Sequence, residues 1–348
     1  MITYIVFFIF IFFVSIIELL VENIWIKKLF FTFVASLFFL LIAFRQTGYD
    51  YNSYFEIFEN IKQGLDVFNI EPGFIFICQL CDSFRGLLIV IAFVTILLHM
   101  TFIYKTSELP FISLLVLSTT YLFPTFMGQM RQGLAMGIVI WSVYFIRDKR
   151  ILFFLLIILA CFIHSSAIIA LVFLVLPKTV RNLKYYVYTL LIALVASFIL
   201  EPFFSKLLSL FPYVMAIDKL TFYSETEDYK LGFNFAIMIR LFVFCFAYYF
   251  KDKIKDQLYP ILLNIYFYSI VLYLALGFVP QLGGRGTLYF AYFDIILIPM
   301  IIKASTRYQK IFIISIVLLL AISRFTLFFY SDFNYEQYVP YLKGELYI

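Results

Sequence analysis

Ten separate runs of mostly apolar residues constrain this chain more than any other feature of its sequence. A helix of about 20 apolar residues is long enough to cross the hydrocarbon core of a bilayer, which is about 30 Å thick. The sequence is 64% hydrophobic and 14% charged, whereas soluble proteins are about 45–50% apolar and about 25% charged. We therefore predict an all-α, multi-pass membrane protein with about ten full transmembrane helices. The predicted spans are 3–20, 28–44, 86–104, 109–127, 131–147, 184–203, 232–250, 258–279, 286–303 and 310–330.

The run 151–176 either crosses the membrane once or folds into two short helices, and the basic residues favour the second arrangement. Lys and Arg concentrate in cytoplasmic loops, so we place "RDKR" (147–150) inside. A single crossing would then leave three basic segments outside: 177–184, 251–255 and 303–310. A hairpin of 151–163 and 164–176 keeps all three inside. We predict this hairpin, with His164 near its tip and both chain termini outside.

No polar linker long enough to separate domains interrupts the chain, so we expect one integral-membrane domain over 1–348. The predicted topology leaves three external segments that carry much of the polar content: 45–85, 204–231 and 331–348. Within the first, "YFEIFEN" has the apolar spacing of a short amphipathic helix that lies on the membrane surface. The external loops are therefore expected to form the functional site.

Six arginines lie in or near the outer half of the predicted membrane protein, where the positive-inside tendency would not place them. An Arg cannot lose its charge, and its planar fork of donors suits phosphate. The pattern predicts an anionic ligand at the outer leaflet. These residues are Arg45, Arg85, Arg131, Arg240, Arg285 and Arg324.

Two of these arginines have local sequences that favour anion binding. Arg131 opens the predicted helix "MRQGLAMG" beside Gln132, with no carboxylate within four residues in sequence, and helix N-termini bind anions. Arg285 lies in "QLGGRG", where backbone N–H groups can converge on an anion. The alternative for both is a side chain that extends to the membrane interface. Arg240 lies inside its predicted span, so it must either pair with a buried acid or line a cavity.

Three residues are candidates for a general base. His164 is followed by Ser165 and Ser166 at the predicted hairpin tip, and a neutral imidazole there can accept a proton from a hydroxyl. A polar cluster that caps the helix is the alternative. Asp50 and Glu71, on the first external segment, are alternative bases, or they have structural or ion-pairing roles.

Motifs for metal or nucleotide chemistry do not occur in the sequence. It contains no phosphate-binding P-loop, no G-x-G-x-x-G and no H-E-x-x-H. Cys78 and Cys81 form a C-x-x-C that no second Cys or His pair completes. We expect no metal and no cofactor, and hence a substrate that is already activated. The net charge of +5 reflects basic loops rather than nucleic-acid binding.

Several segments together resemble the EpsG/Wzy-like family of bacterial polysaccharide polymerases. The family's Arg-Gln pair matches Arg131 and Gln132, and its His-x-Ser matches His164 and Ser166. Its glycine–aspartate–tyrosine stretch matches Gly48, Asp50 and Tyr54. The chain departs from the family at Ser165, where a basic residue is common. The matching segments are "FRQTGYDYNSYFEIF", "EPGFIFICQL", "FPTFMGQMRQGLAMGIVIW", "ACFIHSSAIIAL", "GRGTLYFAYFDIILIP" and "VPYLKG".

The resemblance implies an enzyme at the outer face of the bacterial inner membrane. It would join oligosaccharide repeat units carried on undecaprenyl diphosphate into O-antigen, capsule or exopolysaccharide, beside a flippase and a chain-length regulator. His164 and Asp50 are then the expected catalytic residues. The expected diphosphate-binding residues are Arg131, Arg285, Arg240 and Arg45, and the supporting residues are Gln132, Ser166, Glu71, Arg324 and Tyr54.

Two other functions stay open. A flippase or transporter for the same lipid-linked sugars would need charged residues along its whole path and internal repeats, whereas the charges here gather at one face. A ligase that moves the polymer to another acceptor would use the same chemistry as a polymerase.

Overall fold

The computed structural model describes residues 2–20, 23–46, 48–68, 70–210, 233–279 and 281–330. Two predicted external segments therefore lie partly or wholly outside the described residues: 204–231 from residue 211 onward, and 331–348 entirely.

Over these described ranges the chain is helical and contains no strand. Its α-helices are α1 (Ile2–Ile17), α2 (Ile24–Ala43), α3 (Tyr51–Lys62), α4 (Pro72–Leu80), α5 (Phe84–Thr106), α6 (Pro110–Thr120), α7 (Met130–Phe145), α8 (Arg150–Ile163), α9 (Leu183–Leu210), α10 (Phe235–Tyr249), α11 (Tyr259–Leu276), α12 (Leu288–Ala291), α13 (Asp294–Ala304) and α14 (Arg307–Tyr330). Leu122–Gly128 and Gln281–Gly286 are π-helical, and Ser165–Leu174 is a 3₁₀-helix.

The all-α multi-pass architecture is confirmed, but the predicted count of ten full spans is not. In the described part of the chain, five helices (α2, α5, α9, α11 and α14) are long and apolar enough to cross a membrane. The number is seven if each of two bent pairs forms one span: Pro110–Thr120 with Leu122–Gly128, bent by 73°, and Leu282–Ala291 with Asp294–Ala304, bent by 45°.

The predicted spans 3–20 and 232–250 correspond to helices of 16 and 15 residues. Hydropathy summed over a window of about 20 residues does not register where a helix breaks, so the sequence overestimated these lengths. The predicted break within 151–176 is present, because α8 ends at Ile163. The second arm is a 3₁₀-helix rather than an α-helix.

Contacts within the chain divide it into two compact units, 1–168 with 298–348, and 169–297. In the first unit α7 packs on α5 and α8, α2 packs on α5, and α6 contacts both α1 and α14. In the second unit α11 is central: 72% of its apolar stretch is buried, compared with 11% of the apolar stretch of α9. It packs against α9, α10 and α12. That 1–348 forms one integral-membrane domain stays a prediction.

Helices α3 and α4 form a small subassembly in the predicted external segment 45–85. The apolar stripe of α3, formed by Tyr54, Phe58 and Ile61, is buried. The Tyr54 ring lies 5.9 Å from that of Phe74 on α4, and Phe58 lies 5.9 Å from Phe84 at the start of α5. The sequence predicted this amphipathic helix correctly. Its apolar stripe packs on protein, not on the membrane surface that the spacing suggested.

Candidate functional site

Three segments that are distant in sequence meet at one ion pair in the first unit. Arg131, on the first turn of α7, donates from Nη1 to Oε2 of Glu71, which directly precedes α4. The Glu71 side chain is 8% exposed and that of Arg131 is 15% exposed, so solvent screens the pair little. His164 and Ser165, at the end of α8, contact the same carboxylate. We call these four residues the Glu71 cluster.

Local sequence explains why the Glu71 carboxylate is available to the cluster. A residue before proline favours extended backbone, and Glu71 precedes Pro72 with φ −71° and ψ 141°. Pro72 fits the first turn of α4, where its missing N–H is not needed. The Glu71 side chain makes no capping hydrogen bond to α4. It accepts hydrogen bonds from Ser165 N at 3.0 Å and from Ser165 Oγ at 2.8 Å, both on Oε1.

The end of α8 places His164 beside this carboxylate. His164 leaves the helix with extended backbone, φ −154° and ψ 109°, while its N–H still donates to Ala160 O at 2.9 Å. Its Nδ1 lies 3.6 Å from Glu71 Oε1, and its side chain is 25% exposed. This distance exceeds that of a hydrogen bond but lets the carboxylate stabilise a protonated imidazole.

The charge state of Glu71 follows from its neighbours. Burial alone would raise the pKa of Glu71, but the His164 ring, the Arg131 guanidinium and the Ser165 N–H outweigh burial and hold the pKa well below its ordinary value of 4.5. Glu71 is therefore a carboxylate at neutral pH. A carboxylate with so low a pKa accepts protons poorly, which favours His164 over Glu71 as the base.

Aromatic rings hold the Arg131 guanidinium on two sides. Its Cζ lies 5.7 Å from the centroid of the Tyr54 ring and 5.4 Å from that of Phe74, within the range of cation–π attraction. Burial raises the pKa of Tyr54, so its phenol stays neutral. The Asp50 carboxylate, half-buried before α3, acts electrostatically on both Tyr54 and Arg131. The buried Nε–H of Arg131 has no hydrogen-bond partner among the described residues.

The structure corrects one step of the sequence argument. That argument found no carboxylate within four residues of Arg131 and inferred that an anionic ligand offsets its burial. Glu71, 60 residues away in sequence, supplies the carboxylate. Sequence reasoning also missed Ser165 as a member of the cluster and Phe74 as a ring beside the Arg131 guanidinium. The sequence signals for them are that Ser165 follows His164 and that Phe74 follows "EPG".

The other predicted residues of the first unit have surroundings of their own. Arg45 is 1% exposed; its Nη1 donates to Ile42 O at 2.9 Å, and its Nη2 lies 3.7 Å from Met130 Sδ. Gln132 is buried and Ser166 half-buried. Arg324 on α14 donates to Thr120 Oγ1 on α6.

In the second unit, Arg240 and Arg285 have different surroundings. Arg240 is 9% exposed and donates from Nη1 to Thr287 Oγ1 at 2.8 Å and to Ser269 O at 3.1 Å. Its Cζ lies 5.2 Å from the Tyr273 ring centroid. Arg285 is half-buried in the π-helical Gln281–Gly286. The diphosphate roles of these arginines stay predictions.

No group of three or more His, Cys, Asp or Glu residues in the described ranges is placed to hold a metal ion. The polar groups that the fold does bring together are a guanidinium, a carboxylate, an imidazole and a hydroxyl. Such a set can bind an anion and move a proton.

Fold and site together define a multi-pass helical membrane protein with a buried guanidinium–carboxylate–imidazole cluster. A family model described as the EpsG family matches residues 28–342, nearly the whole chain, and includes every residue of the Glu71 cluster. The chain belongs to the EpsG family, which is a Wzy-like polysaccharide polymerase family. The resemblance found in the sequence is thereby confirmed. Comparisons with curated proteins and with solved structures gave no match.

Proposed function

We propose that this protein is a polysaccharide polymerase of the bacterial inner membrane whose catalytic centre is the Glu71 cluster. It transfers a growing glycan from undecaprenyl diphosphate to a sugar hydroxyl of a new lipid-linked repeat unit, on the outer side of the membrane. The observation that carries the proposal is the convergence of Arg131, His164 and Glu71, from separate segments, within the region that the family matches.

His164 is the proposed general base. The imidazole takes the proton of the acceptor hydroxyl as its oxygen forms a bond to the anomeric carbon of the donor sugar. The bond from that carbon to the diphosphate breaks, and undecaprenyl diphosphate leaves with the electron pair. Glu71, held ionised by Arg131 and Ser165, stabilises the imidazolium that forms. Asp50 is the alternative base, since it lies at the start of α3 near Arg131.

Arg131 is the proposed contact for the leaving diphosphate. Charge-assisted hydrogen bonds from a guanidinium stabilise the negative charge that develops there. Glu71 engages Nη1, which leaves other N–H groups of Arg131 for phosphate oxygens. The ion pair supports burial of Arg131 when no substrate is bound. Arg45, through its contact with Met130, adds positive charge close to the first turn of α7.

Both substrates carry a diphosphate, so the reaction calls for more than one cationic group. We assign Arg240 and Arg285 in the second unit to this second task. The Thr287 hydroxyl and the Ser269 carbonyl orient the Arg240 guanidinium. A flippase that delivers the repeat units and a protein that sets chain length complete the proposed surroundings of the enzyme.

The test is elongation by the purified protein in vesicles that contain a synthetic undecaprenyl-diphosphate-linked repeat unit. We expect the wild-type protein to make a ladder of polymers. His164→Ala should still bind the lipid-linked unit but should lose elongation by at least about a hundredfold, the usual range for removal of a general base. Polymer of wild-type amount and length from His164→Ala would reject the role of His164. Loss of elongation in Asp50→Asn alone would move the base to Asp50.

A further inference from the structure

Helices α4 and α8 approach each other so closely at Gly73 that a larger residue does not fit. A Cβ on Gly73 would lie 2.6 Å from Phe162 O, 3.0 Å from Phe162 C and 3.1 Å from Phe162 Cβ. The nearest of these atoms belong to the backbone, which cannot rotate away as a side chain can. A side chain at position 73 would therefore force α4 away from α8.

The position of this contact links it to the Glu71 cluster. Gly73 is two residues after Glu71, and Phe162 is two residues before His164. The backbone contact therefore sets how near the carboxylate comes to the end of α8. Three distances depend on it: Glu71 Oε1 to Ser165 N at 3.0 Å, to Ser165 Oγ at 2.8 Å and to His164 Nδ1 at 3.6 Å.

Helix formation alone would not select glycine at this place, because Ala is the better helix former. The backbone of Gly73 lies in the first turn of α4, where an L-residue has no conformational difficulty, and Gly64 is the glycine described with positive φ. The requirement for glycine at position 73 is therefore one of close approach.

We propose that Gly73 is a positioning residue for glycosyl transfer: its contact with Phe162 holds the Glu71 carboxylate against His164 and Ser165. The inference rests on the proposed function, which it deepens. A carboxylate that moves away by several tenths of an ångström stabilises the imidazolium less, and misplacement by about 1 Å can cost about a hundredfold in rate.

The first experiment compares Gly73→Ala with Gly86→Ala in the vesicle elongation assay over a range of pH. A Cβ at Gly86 would meet its nearest atoms, Ser83 Oγ and Cys81 Cβ, at 3.4 Å and 3.9 Å, which are ordinary contacts. We expect Gly73→Ala to slow elongation by about tenfold or more, with little change in binding of the lipid-linked unit. The acid limb of its rate profile should move to lower pH, because a more distant carboxylate favours protonated His164 less. Gly86→Ala should match the wild-type protein.

The second experiment needs no enzymatic activity. Thermal unfolding of the purified protein is measured for Glu71→Gln in the wild-type, Gly73→Ala and Gly86→Ala backgrounds. If Gly73 positions Glu71, the loss of stability from Glu71→Gln should be smaller in the Gly73→Ala background than in the other two. Without elongation by the wild-type protein, this coupling would still support the positioning role, while the proposed function would fail.

Three results would overturn the inference. One is a wild-type rate and pH profile in Gly73→Ala. Another is a lower rate with an unchanged pH profile and no thermal coupling to Glu71. The third is that Gly73→Ala alone and Gly73→Ala combined with Glu71→Gln reduce the amount of protein in the membrane equally. Gly73 would then serve packing alone.

Discussion

At the scale of single residues, the Glu71–Arg131 pair decides the electrostatics of the site. A charged side chain at membrane depth costs roughly 2.5–3.5 kcal/mol on insertion scales. A carboxylate at hydrogen-bond distance, two flanking rings and the Ser165 donors offset that cost. Each partner needs the other, because either one alone would be a buried charge without its counter-ion.

This pairing predicts a pH-dependent loss of stability. The pKa of Glu71 is lower in the folded protein than its ordinary value of 4.5. Its contribution is therefore fully present above about pH 4.5 and is lost as the pH falls toward the folded-state pKa. At pH 7, Glu71→Gln should destabilise the protein by roughly 3–5 kcal/mol, the usual cost of removing one partner of a buried pair.

Thermal unfolding of the two proteins in detergent, from about pH 3 to about pH 7, measures this contribution. The gap in melting temperature between the wild-type protein and Glu71→Gln should shrink as the pH falls below about 4.5. A gap that stays constant over the whole range would mean that Glu71 does not act through its charge.

The sequence identified most residues of the site but not their pairing. Arg131, His164, Glu71 and Tyr54 were all predicted as candidates, from residue type, local pattern and family resemblance. The ion pair joins residues 60 positions apart, and Ser165 bonds a carboxylate 94 positions away. Such contacts depend on how α4, α7 and α8 pack, which no local spacing encodes.

At the scale of elements, breaks in the helices position the residues of the Glu71 cluster. Arg131 follows the π-helical Leu122–Gly128, His164 ends α8, and Glu71 is held extended by Pro72. The break at His164 was predictable, because the distribution of basic residues indicates which loops are cytoplasmic. The π-helical segments were not, because apolar windows look alike whether a helix is straight or bent.

The topology around α8 gives a prediction at this scale. If 151–176 is a hairpin, Ser166 faces the outside, and Thr179 and Lys253 face the cytoplasm. In a variant without native cysteines, an impermeant thiol reagent added to intact cells should modify Ser166→Cys but not Thr179→Cys or Lys253→Cys. Modification of Thr179→Cys in intact cells would mean that 151–176 crosses the membrane once.

At the scale of the whole molecule, membership of the EpsG family and the Glu71 cluster are consistent with one account of the function. The described chain has arginines with polar or aromatic partners in each of its two units, Arg131 in the first and Arg240 in the second. In the proposed reaction the lipid-linked donor already holds the energy for transfer, so the proposal needs only anion contacts and a base.

The most direct test of this account is polymer formation by Arg131→Lys and Arg131→Ala, with the exposed Arg181→Lys as the matched control. A lysine can keep the charge pair with Glu71 but cannot also offer a planar fork to phosphate. We predict that Arg131→Lys fails almost as badly as Arg131→Ala. Loss of a charge-assisted contact of roughly 1.5–3 kcal/mol slows transfer by about ten- to a hundredfold or more. Single repeat units should accumulate on the lipid carrier while the protein stays in the membrane at normal levels. Polymer of normal amount and length from Arg131→Lys would contradict the account, because Arg131 would then be only the counter-ion of Glu71.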